Sequence, residues 1–327
     1  MKRTLTTIPK REFQSFHDFP IVTDLDNMDA DIAILGIPYG APYSNDEVSN
    51  DQVNAPTHIR RNCERALRGL DRYDFDIGGT LLDGRDIKVV DCGDVSGFPD
   101  DILGNHRRSE QAVSKIIRAG ALPIILGGDH AIPIPVLRAF SAHQPITLIQ
   151  IDAHIDWRDN FSRPGSNYSV SEGLSSVIRR ISEFEHVDQI YQIGLRSAGS
   201  ARPEEFAAAL NYGAHLVSDI DLQTQGMEKI LKRLPDGGNF YLTIDADGID
   251  PTIMPAVAGP APGGVTYHQM RTLIHGLFKK GKVLGMDIVE ITPRKDLNGI
   301  SAITAGRFIC NFIGTAVRCD YFERSKR

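Results

Sequence analysis

Along the chain, short runs of apolar and β-branched residues alternate with longer stretches of helical period. The short runs DIAILGI (31–37), IKVVDCG (87–93), LPIILGG (122–128), ITLIQID (146–152), QIYQIGL (189–195), AHLVS (214–218), NFYLTID (239–245) and KVLGMDIV (282–289) predict strands. Helices are predicted over 56–69, 107–119, 135–143, 174–182, 204–211, 226–234, 267–280 and 298–316. Thr266 followed by Gln269 is a capping box that starts the seventh helix, since hydroxyl and amide can each satisfy a first-turn N–H. Strand, helix, strand repeated in this way predicts an α/β fold with a mainly parallel sheet covered on both faces. No linker, low-complexity segment or internal repeat divides the chain, so 1–327 is read as a single domain.

Two long stretches, 38–53 and 157–173, fit neither period. Long loops are commonly functional, and both follow strands at the edge where open parallel sheets bind ligands. They are therefore expected to rim a site.

Composition narrows the function. The 327 residues include 41% hydrophobic and 24% charged, enough for a large core, with a formal net charge of −6 from 36 Lys and Arg against 42 Asp and Glu. No basic cluster exceeds pairs such as Arg107-Arg108, which argues against nucleic acid as a partner. No apolar run approaching the roughly 20 residues that span a bilayer is evident, and the N-terminal segment lacks a signal-peptide core, so no membrane association and a cytoplasmic location are expected. Cys63, Cys92, Cys310 and Cys319 form no CxxC pair and are read as reduced thiols. Neither a Walker loop, GxGxxG nor Ser-His-Asp spacing is present.

The chemistry gathers at three strand ends: GGDH (127–130), DAHID (152–156) and DADGIDP (245–251). Extended residues two apart point to the same side, so Asp152, His154 and Asp156 can face one crevice, as can Asp245 and Asp247, with His130 arriving from a neighbouring strand. Alone, DxHxD could be a solvated turn and GGDH a glycine turn whose Asp caps a helix. Together they place four carboxylates and two imidazoles in one crevice. Four buried carboxylates repel one another, raising each other's pKa, and two divalent cations remove that repulsion. Mixed oxygen and nitrogen donors suit Mn, Fe, Co, Ni or Zn better than Ca or Mg.

With the late segment DIVEITP (287–293), and with GIPYG (36–40), APTHIR (55–60) and PGGVTY (262–267), these motifs resemble the ureohydrolases, the arginases, agmatinases and their relatives, over nearly the whole chain. The resemblance implies a three-layer α/β/α fold with a sheet of about eight strands, a binuclear centre that is usually manganese, with nickel as an alternative, hydrolysis of a guanidino C–N bond, and assembly into trimers or hexamers. It implies that His130 and Asp156 bind one ion, His154 and Asp247 the other, and that Asp152 and Asp245 bridge. Glu290 would receive the guanidinium, and Asp156 would help carry a proton. Asp250 is read as fixing the turn before Pro251 rather than as a ligand.

Two features depart from the family pattern. Many members carry a His-Gly pair where this chain has Glu172-Gly173, so Glu172 is a candidate for catalysis or for holding a second cationic group of the substrate, with capping of the next helix as the alternative. Trp157, the only Trp, is a candidate for cation–π contact with substrate, or for packing. His58, His106, His143, His215, His268 and His275 are read as structural or surface residues. The expected activity is agmatinase-like release of urea, or a urea-like product, and an amine. Agmatine or guanidinobutyrate is the default substrate, with guanidine or a substituted guanidine or biguanide as further possibilities. The alternatives are a noncatalytic subunit assembling with a paralogue, and a metal-dependent deacetylase of related fold.

Overall fold

The computed structural model describes residues 13–40, 51–98, 101–142, 145–162, 169–319 and 321–324. The strands are β1 (Ile32–Ile37), β2 (Val89–Asp94), β3 (Leu122–Gly127), β4 (Ile146–Ile151), β5 (Phe161–Ser162), β6 (Ser169–Val170), β7 (Val187–Leu195), β8 (His215–Ser218), β9 (Asn239–Asp245) and β10 (Lys282–Val289). All eight predicted strands form one sheet in the order β2-β1-β3-β10-β9-β4-β7-β8, and every pairing in it is parallel. The additional strands, β5 and β6, pair as a small antiparallel ribbon inside the second rim stretch.

The helices are α1 (Ala55–Leu67), α2 (Ile102–Arg118), α3 (Pro133–Arg138), α4 (Val177–Ile181), α5 (Pro203–Tyr212), α6 (Asp219–Gln225), α7 (Met227–Leu231), α8 (Tyr267–Lys280), α9 (Ile300–Arg318) and α10 (Tyr321–Arg324). Alternation along each strand divides the core in two. Ile32 and Ile34 join Ile59, Leu273 and Phe308 on one face, whereas Ala33, Leu35 and Ile37 join Val113, Val136 and Ile178 on the other. A strand buried on both faces needs apolar residues of both parities, which is the sequence signature of a doubly covered parallel sheet. This is the three-layer α/β/α architecture expected.

The departures have local causes. The helix predicted over 226–234 is α7, and before it stands α6, which the pattern does not predict; Gly226 at φ 79 divides the two, and α6 buries only Leu222, an apolar stripe too thin to read. The helix expected from 107 begins at Ile102, because the Asp101 carboxylate accepts a hydrogen bond from Gly104 N at 2.9 Å and caps it. The helix expected over 135–143 spans Pro133–Arg138, and residue 143 lies outside the described residues. The expectation about membrane-length runs also needs correction. Residues 297–318, which contain α9, are long and apolar enough to cross a bilayer, yet nearly all of α9 is buried among α1, α8 and the sheet. It is a core helix. The capping box at α8 is present as expected.

Candidate metal centre

The sheet order sets β3, β10, β9 and β4 side by side, so the three acidic motifs and Glu290 emerge from adjacent carboxyl edges. The chain passes from β3 to β4 across the places later filled by β10 and β9, and such a switch in direction opens the crevice where these sheets bind ligands. Close approach is needed to bring the edges together. A Cβ on Gly248 would stand 2.5 Å from Asp152 N, and one on Gly128 2.0 Å from Tyr39 O, so glycine alone fits at both points.

All six expected donors converge. His130 Nδ1 lies 3.0 Å from Asp152 Oδ2, 3.1 Å from Asp156 Oδ2 and 3.0 Å from Asp245 Oδ2. His154 Nδ1 lies 3.4 Å from Asp152 Oδ1 and 3.2 Å from Asp247 Oδ2. The two groups meet at Asp152, which offers one oxygen to each. Asp245 gives its Oδ2 to the first group, while its Oδ1 accepts a hydrogen bond from Asp247 N at 2.8 Å.

Despite three carboxylate oxygens so near, buried His130 Nδ1 makes no hydrogen bond. Donors that surround one cation at about 2.0–2.1 Å, at right angles to each other, are separated by about 3 Å. The spacing and the orphaned nitrogen therefore fit a divalent ion better than a hydrogen-bonded cluster. The imidazole is oriented from behind. Its Nε2 lies 3.2 Å from Thr243 Oγ1, and the Thr243 hydroxyl donates to Asp287 Oδ1 at 2.6 Å. With the hydroxyl proton committed to Asp287, the neutral imidazole must carry its proton on Nε2, leaving Nδ1 with a free lone pair for metal.

Electrostatics in the cation-free cluster show what a metal would relieve. Burial, and then the neighbouring Asp152 charge, push Asp156 up to about 7. Burial and the nearby Asp247 raise Asp245 well above the carboxylate range, and burial with Asp152 also raises Asp247. Burial opposes ionisation of Asp152 too, but His130 and His154 outweigh it and hold that carboxyl low. Contacts with Asp152 and Asp247 push His154 up to about 12. His130 is buried, whereas 41% of the His154 side chain is exposed, which marks the open side of the crevice.

Glu290 stands at the crevice, 7% exposed, with Oε1 accepting from His130 N at 2.8 Å and Oε2 from Gln52 Nε2 at 2.9 Å. Burial and the charge of Asp129 push it up to about 8. It does not pair with Arg294, which is exposed beside Asp51. Asp156 (φ 51) and Glu290 (φ 66) both hold left-handed backbone, a strain of about 1–3 kcal/mol for non-glycine residues that clusters at working sites. Asp250 caps a turn as expected, accepting from Thr252 N at 2.8 Å.

At two rim residues the structure bears on alternatives that the sequence leaves open. Glu172 is occupied, with Oε2 2.7 Å from His106 Nδ1 and Oε1 3.1 Å from Arg138 Nη2, and the His106 contact holds it down at about 2. Burial works to raise its pKa, but the His106 and Arg138 contacts outweigh it, and with both carboxylate oxygens paired Glu172 fastens the returning rim segment to α2 and α3. Trp157 is buried in the core against Tyr212, and its indole N–H donates to Gln192 Oε1 at 2.6 Å. That packing leaves no open ring face for a guanidinium. Gln52, Thr243 and Asp287 are contributors not singled out from sequence, and His106, expected as a structural or surface residue, is the partner of Glu172. Gln52 lies in the first rim stretch, and Thr243, two residues before Asp245, shares that residue's side of β9. Residues 41–50 and 163–168 of the rim stretches lie outside the described residues.

An all-parallel doubly covered sheet with paired His/Asp donor sets at its switch point defines an α/β protein with a candidate metal centre. The family model for the arginase family matches residues 30–314, and the chain belongs to that family. It is thus a ureohydrolase-family enzyme, of a family that hydrolyses guanidino compounds, with candidate binuclear His/Asp metal sites. It is 30% identical over 292 residues to a guanidinobutyrase of Pseudomonas aeruginosa, covering 88% of this chain and 86% of the relative. It is 31% identical over 288 residues to a formimidoylglutamase of Halalkalibacterium halodurans, covering 84% and 85%. Among solved structures, agmatine ureohydrolase of Thermoplasma volcanium superimposes with a TM-score of 0.74 at 28% identity, covering 95% of this chain and 96% of the other. Proclavaminate amidino hydrolase of Streptomyces clavuligerus gives 0.79 at 23% identity, covering 94% and 97%, a likeness of fold.

Proposed function

We propose that the chain hydrolyses a guanidino C–N bond of a small molecule at a binuclear centre, releasing urea or a urea-like product and an amine. The observation that carries this reading is Asp152, which gives one oxygen to each of two donor groups beside the buried Glu290 carboxylate. His130 and Asp156 would hold one ion and His154 and Asp247 the other, with Asp152 and Asp245 shared between them. Manganese is the expected metal, with nickel the alternative. Bound divalent ions lower the pKa of water from 15.7 to about 7, which supplies hydroxide at neutral pH.

The protein's own groups do the rest. Glu290, steadied by Gln52 and the His130 amide, accepts the planar N–H fork of the guanidinium, a geometry that carboxylates match with paired hydrogen bonds. A bound cation also favours the charged carboxylate that burial disfavours. Asp156, which faces the same crevice, would take the proton released from the attacking water and return it to the leaving nitrogen. Agmatine and guanidinobutyrate are the first substrates to test, and the guanidinobutyrase relative supports the second. Guanidine, substituted guanidines and biguanides follow, because Glu172 is committed to His106 and Arg138 and offers no free carboxylate to a distal ammonium.

A trimer or hexamer, as homo-oligomer or with a paralogue, is proposed from the family resemblance, supported by large apolar side chains at the surface such as Tyr73 and Phe75. A cytoplasmic location and one domain over 1–327 complete the reading, the latter supported by the span of the family match. The test is urea and ammonia release across a guanidino panel, with a formimidoyl amino acid and acetylated amines included, in protein loaded with Mn or Ni. Guanidino turnover is expected. Turnover of acetylated amines alone, or none at full metal occupancy, would refute the proposal.

A further inference from the structure

Asp152 is held from behind by a chain of side chains that the chemistry above does not use. Gln150 Nε2 donates to Asp152 Oδ2 at 2.6 Å, Gln192 Nε2 donates to Gln150 Oε1, and Trp157 Nε1 donates to Gln192 Oε1 at 2.6 Å. The second Gln192 amide hydrogen goes to Ile155 O at 2.8 Å. All four side chains are buried: Asp152, Gln150 and Gln192 at 0% exposure and Trp157 at 2%. Gln150 and Gln192 are direct partners across the β4/β7 pair, so the sheet register itself sets the middle contact.

The chain has one possible direction. An indole N–H can only donate, and an ionised carboxylate can only accept. Placed between them, each glutamine must turn its oxygen toward Trp157 and its nitrogen toward Asp152. Both ends dictate the same amide orientations, and a buried polar chain satisfied at every link resists rearrangement. Its far end is the first residue of the second rim stretch, immediately after the metal-facing Asp156.

We infer that Trp157, Gln192 and Gln150 form a one-way hydrogen-bond relay that positions Asp152 Oδ2 for the metal ion of the His130 group. Trp157 is a positioning residue in this role, acting through two glutamines on the carboxylate shared by both donor groups. The inference rests on Asp152 being a metal ligand. Because Trp157 is the only indole in the chain, the relay also carries its own optical reporter.

The test uses full-length protein freed of metal by chelation and titrated with Zn²⁺, a closed-shell ion. Indole emission should change in step with zinc occupancy in the wild type. In Gln192→Met, zinc should still bind while the indole response falls to a small fraction, and zinc affinity should drop about tenfold, the lower range for losing a partner behind a ligand. Trp157→Phe keeps the ring but removes the donor, and should speed zinc release to a chelator by a similar factor. It serves as the second variant should Gln192→Met fail to fold. Zinc binding with no indole response in the wild type, or wild-type affinity and release in the folded variants, would overturn the relay. A wild type that binds no divalent ion would instead refute the metal reading of Asp152, and the relay with it.

Discussion

Thr243 has one hydroxyl proton and gives it to Asp287, and this fixes the tautomer of His130. Thr243→Val keeps the shape and removes the hydroxyl, so it should weaken metal binding about 10–100-fold, while Thr243→Ser should remain near wild type; metal titration followed by calorimetry checks both. Glu172 makes a different prediction. Its folded-state pKa is depressed, so its pairing stabilises the fold above the unfolded value of 4.5 and that contribution is lost as pH falls toward about 2. The stability difference between wild type and Glu172→Gln should therefore shrink with acidification from about 4.5 to 2, measured by denaturant unfolding at stepped pH. A gap that widened on acidification would contradict the assignment. The six donors were legible because they sit in short motifs at strand ends. His106 was not, because Glu172 lies 66 positions away, and Gln52 and Glu290 are separated by 238.

Strands were read closely because a doubly covered parallel sheet writes itself as short apolar runs. Short polar helices such as α6 leave little pattern, and what ends them is a single glycine. Joining of elements was the least readable. Arg60 on α1 reaches β2, donating to Asp91 Oδ2 at 2.8 Å and Oδ1 at 2.9 Å, with both side chains buried, yet nothing in APTHIR announces a core arginine. Arg60→Ala leaves Asp91 uncompensated and should cost about 3–5 kcal/mol, read from chemical denaturation. Gly248 is the corresponding point at the site, where the turn after β9 packs against the end of β4. Gly248→Ala forces a Cβ to within 2.5 Å of Asp152 N, and should reduce bound metal per chain well before it lowers the melting temperature. Unchanged metal content would show that the edges can part without disturbing Asp152.

The chain's net charge of −6 has a particular distribution, because four of its aspartates face one another at the centre of the sheet edge. Two divalent ions would bring −6 to −2 and offset the burial and the mutual repulsion that raise Asp156, Asp245 and Asp247. Folding delivers these carboxylates together through packing of both faces of the sheet, and a bound cation would offset their mutual repulsion. The decisive measurement is metal content by elemental analysis alongside urea release from guanidino substrates, for wild type and Asp152→Asn. Two ions per wild-type chain are expected, with activity rising with occupancy, and Asp152→Asn should lose metal from both groups together with turnover. A single ion per active chain, or hydrolysis that persists after full chelation, would contradict the binuclear account.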